Sequence, residues 1–358
     1  MQKMLPSHSR WYGRVFLALF LTMSLLLVEP FLLGGKFAWS AGQGEVVVLT
    51  VGGSWGDLTK EHVGERFTKR YGAQVTYDIR PNTEQIIALQ ASKANPIADL
   101  VEVSLTRLAR GTMWGLFAEQ DEVKVPNRKF VPKQFKTHVW TARGFTSIIL
   151  VYNKTKVDEK DCTSWDVLTN PKYKGRVGLM KYGWNGEQFL HAVNKIRGGT
   201  YDDVTPGLRF CRKIIENGGT VLNSNDHVMR LFESGELWIA SYYPGRAEQL
   251  IKKGVPLVYR YVPGSLAYTW GFSVVNNSKN TDLAYKWVNL SLEPEVQVEY
   301  AKKLGYAPTN TNTVVPTGAS LASRVSKEEM AMIVDLDGVE IAKTTDKNLE
   351  RFNIEVLR

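Results

Sequence analysis

The chain has 358 residues, of which 44% are hydrophobic and 23% charged, and a formal net charge of +9. That balance belongs to a globular fold and excludes a disordered or low-complexity chain. The basic residues are spread along the sequence without a nucleic-acid-binding module, which argues against a nucleic-acid partner. Two cysteines with no histidine pair at ligand spacing argue against a thiolate metal site.

Residues 1–40 read as an export signal. Lys3, Arg10 and Arg14 precede an apolar core from Val15 to Val28, which Glu29-Pro30 breaks. Ala38-Trp39-Ser40 places small residues where a signal peptidase reads, so cleavage is expected before Ala41. The rival is an uncleaved membrane anchor. The core falls short of a span of about 20 residues, although Phe31 to Leu33 would extend it. No cysteine follows the apolar core, so a lipid anchor is not expected. The mature chain of 318 residues then carries +6 and has the length of two ordinary lobes outside the cytoplasm, in the periplasm.

The mature part opens on Val46-Val47-Val48-Leu49-Thr50-Val51, a β-branched apolar run that predicts a strand buried on both faces. Gly52-Gly53-Ser54-Trp55-Gly56-Asp57 breaks it with an exposed-looking tryptophan. Helical spacing then runs through Leu58, Val63 and Phe67 to Tyr71, with Gly72 as a stop. A strand, glycine turn and helix in this order present free N–H groups at a crevice, so this loop is expected to form one wall of a ligand cleft. Gln74 to Ile79 predicts a second strand, Asn82-Thr83-Glu84 caps a helix through Lys93, and Ala98 to Val103 predicts a third strand ended by Ser104. Phe145 to Tyr152 is a long apolar strand. Further alternation follows: strands at Arg176–Met180, Thr220–Leu222, Leu237–Tyr242, Val255–Val262 and Trp270–Val275, and helices at Glu187–Ile196, Pro206–Asn217, Asp226–Glu233, Gln249–Lys253, Asp282–Leu292 and Glu295–Leu304. Alternation of this kind predicts an α/β fold with a mostly parallel sheet flanked by helices, formed twice. Cys162 and Cys211 are either a disulfide, stapling the helix at Pro206–Asn217 to the loop before Trp165, or two buried thiols.

Several ordered patterns resemble the periplasmic solute-binding proteins of bacterial ABC importers, in particular the spermidine/putrescine-binding branch with its iron-, thiamine-, opine- and phosphonate-binding relatives. They are Ala98-Asp99-Leu100-Val101, Thr163-Ser164-Trp165-Asp166-Val167-Leu168, Pro171-Lys172-Tyr173-Lys174-Gly175-Arg176-Val177 and Phe232-Glu233-Ser234-Gly235-Glu236-Leu237. Ala284-Tyr285-Lys286-Trp287-Val288-Asn289 and Gly305-Tyr306-Ala307-Pro308 complete the set. The resemblance implies a two-lobed, type II-like periplasmic-binding-protein fold closing on a ligand through a hinge. Lobe 1 would comprise 45–147 plus 270–308 and lobe 2 150–267 plus 312–358, with crossings near Thr146–Tyr152 and Tyr268–Val275 and a third passage after Pro308.

Residues just after strand ends are the candidates for such a cleft. They are Trp55, Asn82, Thr83 and Ser104 from one side, Trp184, Glu187, Tyr242, Tyr243 and Arg246 from the other, and Tyr268 and Trp270 at the second crossing. Aromatic faces offer a cage for an alkylammonium, at about 0.5–2 kcal/mol per contact, and core packing is the rival for each ring. Polyamine binders of this family hold amines with carboxylates in the second lobe and near the second crossing. Glu187 matches one of these, but Ala267-Tyr268-Thr269-Trp270-Gly271 lacks the other, while Arg246 and Arg80 suit an anionic group. A polyamine-like solute and an amino acid-like or opine-like solute both remain open. The expected partners are that solute and a membrane permease, with no cofactor, no enzymatic step and a monomeric state.

Two rivals come from other chemistry. Tyr242-Tyr243 resembles the adjacent tyrosine pair of the Fe(III)-binding relatives, since hard Fe(III) takes phenolate and carboxylate oxygens. Gly52-Gly53-Ser54-Trp55-Gly56 fits the G-x-S-x-G elbow of a serine hydrolase, although it follows the first strand of the mature chain, with nothing before it to build a hydrolase core.

Overall fold

The computed structural model describes residues 44–358, the side chain of Thr83 excepted. The expected signal segment and its cleavage point lie outside the described residues.

The apolar run at the start forms β1 (Glu45–Thr50), with Val46, Val48 and Leu49 fully buried. The glycine turn is shorter than its sequence suggests, because α1 (Gly53–Leu58) already begins inside it. A π-helical stretch, Thr59–Gly64, joins α1 to α2 (Glu65–Tyr71). The Thr59 hydroxyl bonds back to the Trp55 carbonyl at 3.0 Å, a local competitor for the helical ladder where the helix widens. There follow β2 (Gln74–Ile79), α3 (Asn82–Ala91), β3 (Leu100–Ser104), α4 (Leu105–Met113), β4 (Lys136–Thr137) and the 14-residue β5 (Trp140–Asn153). Next come β6 (Val177–Met180), α5 (Gly186–Lys195), α6 (Thr205–Glu216), β7 (Thr220–Leu222), α7 (Asn225–Glu233), β8 (Ile239–Tyr242), α8 (Pro244–Lys252) and β9 (Leu257–Arg260). The chain closes with β10 (Leu266–Val274), α9 (Thr281–Ser291), α10 (Pro294–Leu304), β11 (Ala307–Pro308), α11 (Lys327–Ala331) and α12 (Gly338–Glu355).

The strands form one path in the order β2-β1-β3-β10-β5-β8-β6-β7, with β4, β9 and β11 pairing on β5. The sheet is mixed where a mostly parallel one was expected. β1, β2 and β3 run parallel, as do β6, β7 and β8, but β5 and β10 lie antiparallel to each other and to the strands beside them. β5 carries both halves: Trp140 to Ile148 pairs toward β4, β10 and β11, and Ile149 to Asn153 toward β8 and β9.

Apolar residues collect in two cores on either side of these central strands. One gathers Val48, Phe67, Val103, Trp140, Phe272 and Trp287; the other gathers Leu150, Trp165, Phe189, Phe232, Ile239 and Phe352. Cys162 and Cys211 both lie in the second core as separate, fully buried thiols, so the disulfide reading is not realised there. The apolar surroundings push both thiols up to about 12, because burial disfavours the thiolate.

α12, at 18 residues, has no counterpart in the sequence reading. Asp337 caps it by accepting from the N–H groups of Val339 and Glu340 at 2.8 and 3.2 Å. Its start packs on α4, where Gly338 lies against Leu105 and Ala109. Further along, the Tyr182 hydroxyl donates to the Thr345 carbonyl at 3.1 Å, and Phe352 enters the second core.

Candidate functional site

A run of aromatic rings passes from one core to the other along β10. Trp184 meets Tyr243 edge-on with centroids 6.5 Å apart, and Tyr243 lies 6.2 Å from Tyr268. Tyr268 lies 6.4 Å from Trp270, and Trp270 lies 5.2 Å from Trp55. Trp55 in turn packs on Tyr306 at 4.8 Å and Tyr300 at 5.0 Å. Strand geometry explains the centre of this run, because residues two apart share one face and Tyr268 and Trp270 therefore project together. Trp270 stands opposite Ser104, the last residue of β3, so Tyr268 projects beyond that strand toward the start of α4. The register slips between Trp270 and Gly271, and an added Cβ at Gly271 would fall 2.2 Å from the Thr141 carbonyl oxygen. Only glycine lets β5 approach so closely, and the bulge fixes where Trp270 projects.

Trp55 rests on a buried ion pair. The Arg143 guanidinium, without solvent exposure, lies 4.8 Å from the Trp55 ring and 3.7 Å from the Tyr300 ring. Its Nη2 donates to Glu102, whose carboxylate also accepts from the Thr50 hydroxyl at 2.9 Å and has Thr59 Oγ1 3.3 Å away. A guanidinium between aromatic faces, tied to a hydrogen-bonded carboxylate, holds β3, β5, α1 and α10 together behind the tryptophan.

Polar groups line the same run. Asn82 Nδ2 donates to the Ser104 hydroxyl at 3.0 Å, and Ser104 Oγ lies 3.3 Å from Thr106 Oγ1. Ser104 stands at the N-cap position of α4 yet makes no side-chain cap bond, because its hydroxyl is engaged with Asn82. Asn185, held in a left-handed conformation at φ 61°, donates from Nδ2 to the Tyr243 hydroxyl. Burial raises the pKa of Tyr243, Tyr268 and Tyr306. Smaller influences follow: the Ser104 hydrogen bond and the Arg107 charge lower Tyr268, Arg246 lowers Tyr306, and Glu187, the weakest, raises Tyr243 and Tyr268. All three therefore stay neutral hydroxyls at ordinary pH.

The sequence-derived candidates fall into distinct places. Trp55, Ser104, Trp184, Tyr243, Tyr268 and Trp270 belong to the aromatic run and its polar edge. Trp55 is 9% exposed, where its loop suggested exposure. Asn82 adjoins Ser104, and Thr83 stands in the first turn of α3 with its side chain outside the described set. Glu187, half-buried, accepts from the Gly183 N–H at 3.0 Å. Arg246 is exposed in the first turn of α8, its Nη1 donating to Gln249 at 3.1 Å. Tyr242 is fully buried, with its hydroxyl held at Asn225 Oδ1, 3.2 Å away, so it is a core residue. Arg80 pairs with Asp78 of its own strand at 2.8 Å.

Neither rival chemistry is assembled. The Tyr242 and Tyr243 rings lie 5.5 Å apart, but the Tyr242 hydroxyl is engaged with Asn225 in the core, and no group of three His, Cys, Asp or Glu gathers among the described residues. Ser54 is exposed and has no histidine partner among the described residues. The left-handed residue of that turn is Gly53 (φ 68°), whereas an elbow strains the serine itself. Arg143, Glu102, Arg107, Asn185, Tyr300 and Tyr306 were not singled out in the sequence. Of these only Tyr306 had a visible signal, lying beside Gly305 where the chain passes the centre a third time.

A family model described as bacterial extracellular solute-binding protein matches residues 63–349. The chain is 24% identical over 269 residues to the spermidine/putrescine-binding periplasmic protein of Escherichia coli K12, covering 72% of this chain and 76% of that one. It is 24% identical over 239 residues to the gamma-aminobutyric acid-binding protein of Pseudomonas aeruginosa, covering 60% and 63%. Among solved structures, an ABC transporter from Clostridium perfringens ATCC 13124 superposes with a TM-score of 0.79 at 21% identity, covering 87% of this chain and 99% of that one. At that identity the likeness speaks for the fold. No helix among the described residues is long and apolar enough to cross a membrane.

Proposed function

The chain belongs to the bacterial extracellular solute-binding proteins, and from that premise we propose that it captures a small charged organic solute and delivers it to the membrane permease of an ABC importer. The observation that carries this reading is the aromatic run from Trp184 to Trp55, which joins two separate cores across the paired crossing strands β5 and β10. In this reading residues 45–147 plus 270–308 move as one lobe and 150–267 plus 312–358 as the other. The solute's binding energy selects the closed arrangement, whose outer surface the permease reads. No bond is broken and no cofactor is needed. The protein works as a monomer in the periplasm after removal of residues 1–40. The solutes named for the relatives, polyamines and gamma-aminobutyric acid, define the first compounds to try.

Thermal shift and small-angle scattering across amines, amino acids and sugars test the proposal. A bound solute raises the melting temperature by mass action and compacts the scattering profile. Trp270→Ala, which removes the central ring, abolishes both changes. Unchanged profiles with every solute, alongside turnover of any of them, overturn it.

A further inference from the structure

Resting on the reading just given, we infer that the site takes a zwitterion, one ammonium group and one carboxylate on a short chain, in preference to a diamine. The two ends of the ring run differ in chemistry. At the second-core end, Trp184 and Tyr243 meet edge-on, leaving one ring face open, and Tyr243 feels the charge of Glu187, an aromatic pair with one carboxylate. That is how an alkylammonium is held, by ring faces and a single counter-charge.

At the β3 end the groups are donors. Arg107 Nε is a buried atom without a hydrogen-bond partner, and so is Trp55 Nε1 on a residue more than nine-tenths buried, while Trp270 Nε1 is turned toward the Tyr306 hydroxyl. Buried N–H groups left unpaired are costly, and an anion beside them satisfies several at once. Arg107 lies in the first turn of α4, two residues beyond Leu105, and its charge reaches the Tyr268 hydroxyl. The other carboxylate near the rings, Glu102, is already paired with Arg143.

Charge counting then separates the candidates. Glu187 and Arg107 leave the site with one acid and one base, since Arg246 is exposed and engaged with Gln249. A diamine would set its second ammonium among unpaired N–H donors and a guanidinium, with no carboxylate to meet it. A zwitterion meets a counter-charge at each end. Tyr268, which feels both Glu187 and Arg107, sits between the two ends.

Calorimetric titration with three four-carbon probes decides the matter: 4-aminobutyrate, butane-1,4-diamine and succinate. The zwitterion is expected to bind tightest. Arg107→Gln should weaken it about tenfold or more while leaving the melting temperature of the free protein unchanged, and Glu187→Gln should weaken it comparably. Tightest binding of the diamine, with Arg107→Gln neutral or favourable, overturns the inference and leaves the solute-binding role intact; so does tightest binding of succinate. If none of the three binds, native mass spectrometry of the freshly purified protein identifies the carried molecule. One lacking either a negative or a positive group overturns the inference, and one bearing both upholds it. Failure of the solute-binding role is read separately, as scattering that no solute changes alongside turnover of one of them.

Discussion

His191 is 2% exposed in α5, with Asn348 of α12 3.5 Å from its Nε2. Burial lowers its pKa from 6.5 to about 4, because the imidazolium cannot be solvated there. The unfolded chain therefore takes up a proton first as pH falls. The stability from burying the neutral ring is complete above about 6.5 and is lost between there and about 4, a change of about 3 kcal/mol. Urea midpoints measured across that interval should fall toward acid, and His191→Gln should flatten the slope. A second prediction concerns Glu102. Replacing it with Gln strands the Arg143 charge in the interior, at a cost of about 3–5 kcal/mol in urea unfolding. Glu102→Leu combined with Arg143→Met should cost less than the two single changes added together, since neither leaves the other unpaired. Neither residue was legible as a pair. Glu102 sits in a short apolar strand and Arg143 in a long one, and only the folded sheet sets them side by side.

At the scale of elements, β1, β2, α5, α6, α9 and α10 lie within a residue or two of where hydrophobic period, glycine stops and helix-opening prolines put them. These are local signals, so a local reading finds them. α12 escaped because its buried positions are sparse: Gly338, Ile341, Asn348 and Phe352. Such a helix is recognisable only by what it packs on. Phe352→Ala should therefore cost about 3–5 kcal/mol, from lost transfer energy and the cavity left beside Tyr182. Thermal unfolding followed by circular dichroism checks this, and a loss below about 1 kcal/mol would mean that α12 is peripheral to the second core. The direction of β5 and β10 was also hidden. A strand's apolar pattern says which faces are covered and nothing about which way its neighbours run.

At the scale of the whole molecule, the two-fold alternation of strands and helices and the ordered family patterns were readable from end to end. The individual site residues were less so. Tyr242 and Tyr243 are adjacent, yet one is sealed in a core and the other joins the ring run, because the strand ends between them. Trp55 looked exposed because the residues that cover it, Tyr300, Tyr306 and Trp270, come from the far end of the sequence. The slip in register after Trp270 bears on how such a protein changes its diet over generations. Inserting or deleting one residue in β10 would swing Tyr268 and Trp270 to the opposite face together and bring Ala267 and Thr269 round in their stead. New preferences must therefore arrive by exchanging side chains at fixed positions, so descendants of this chain should vary in what occupies 268 and 270 while keeping the length of the strand between Leu266 and Gly271.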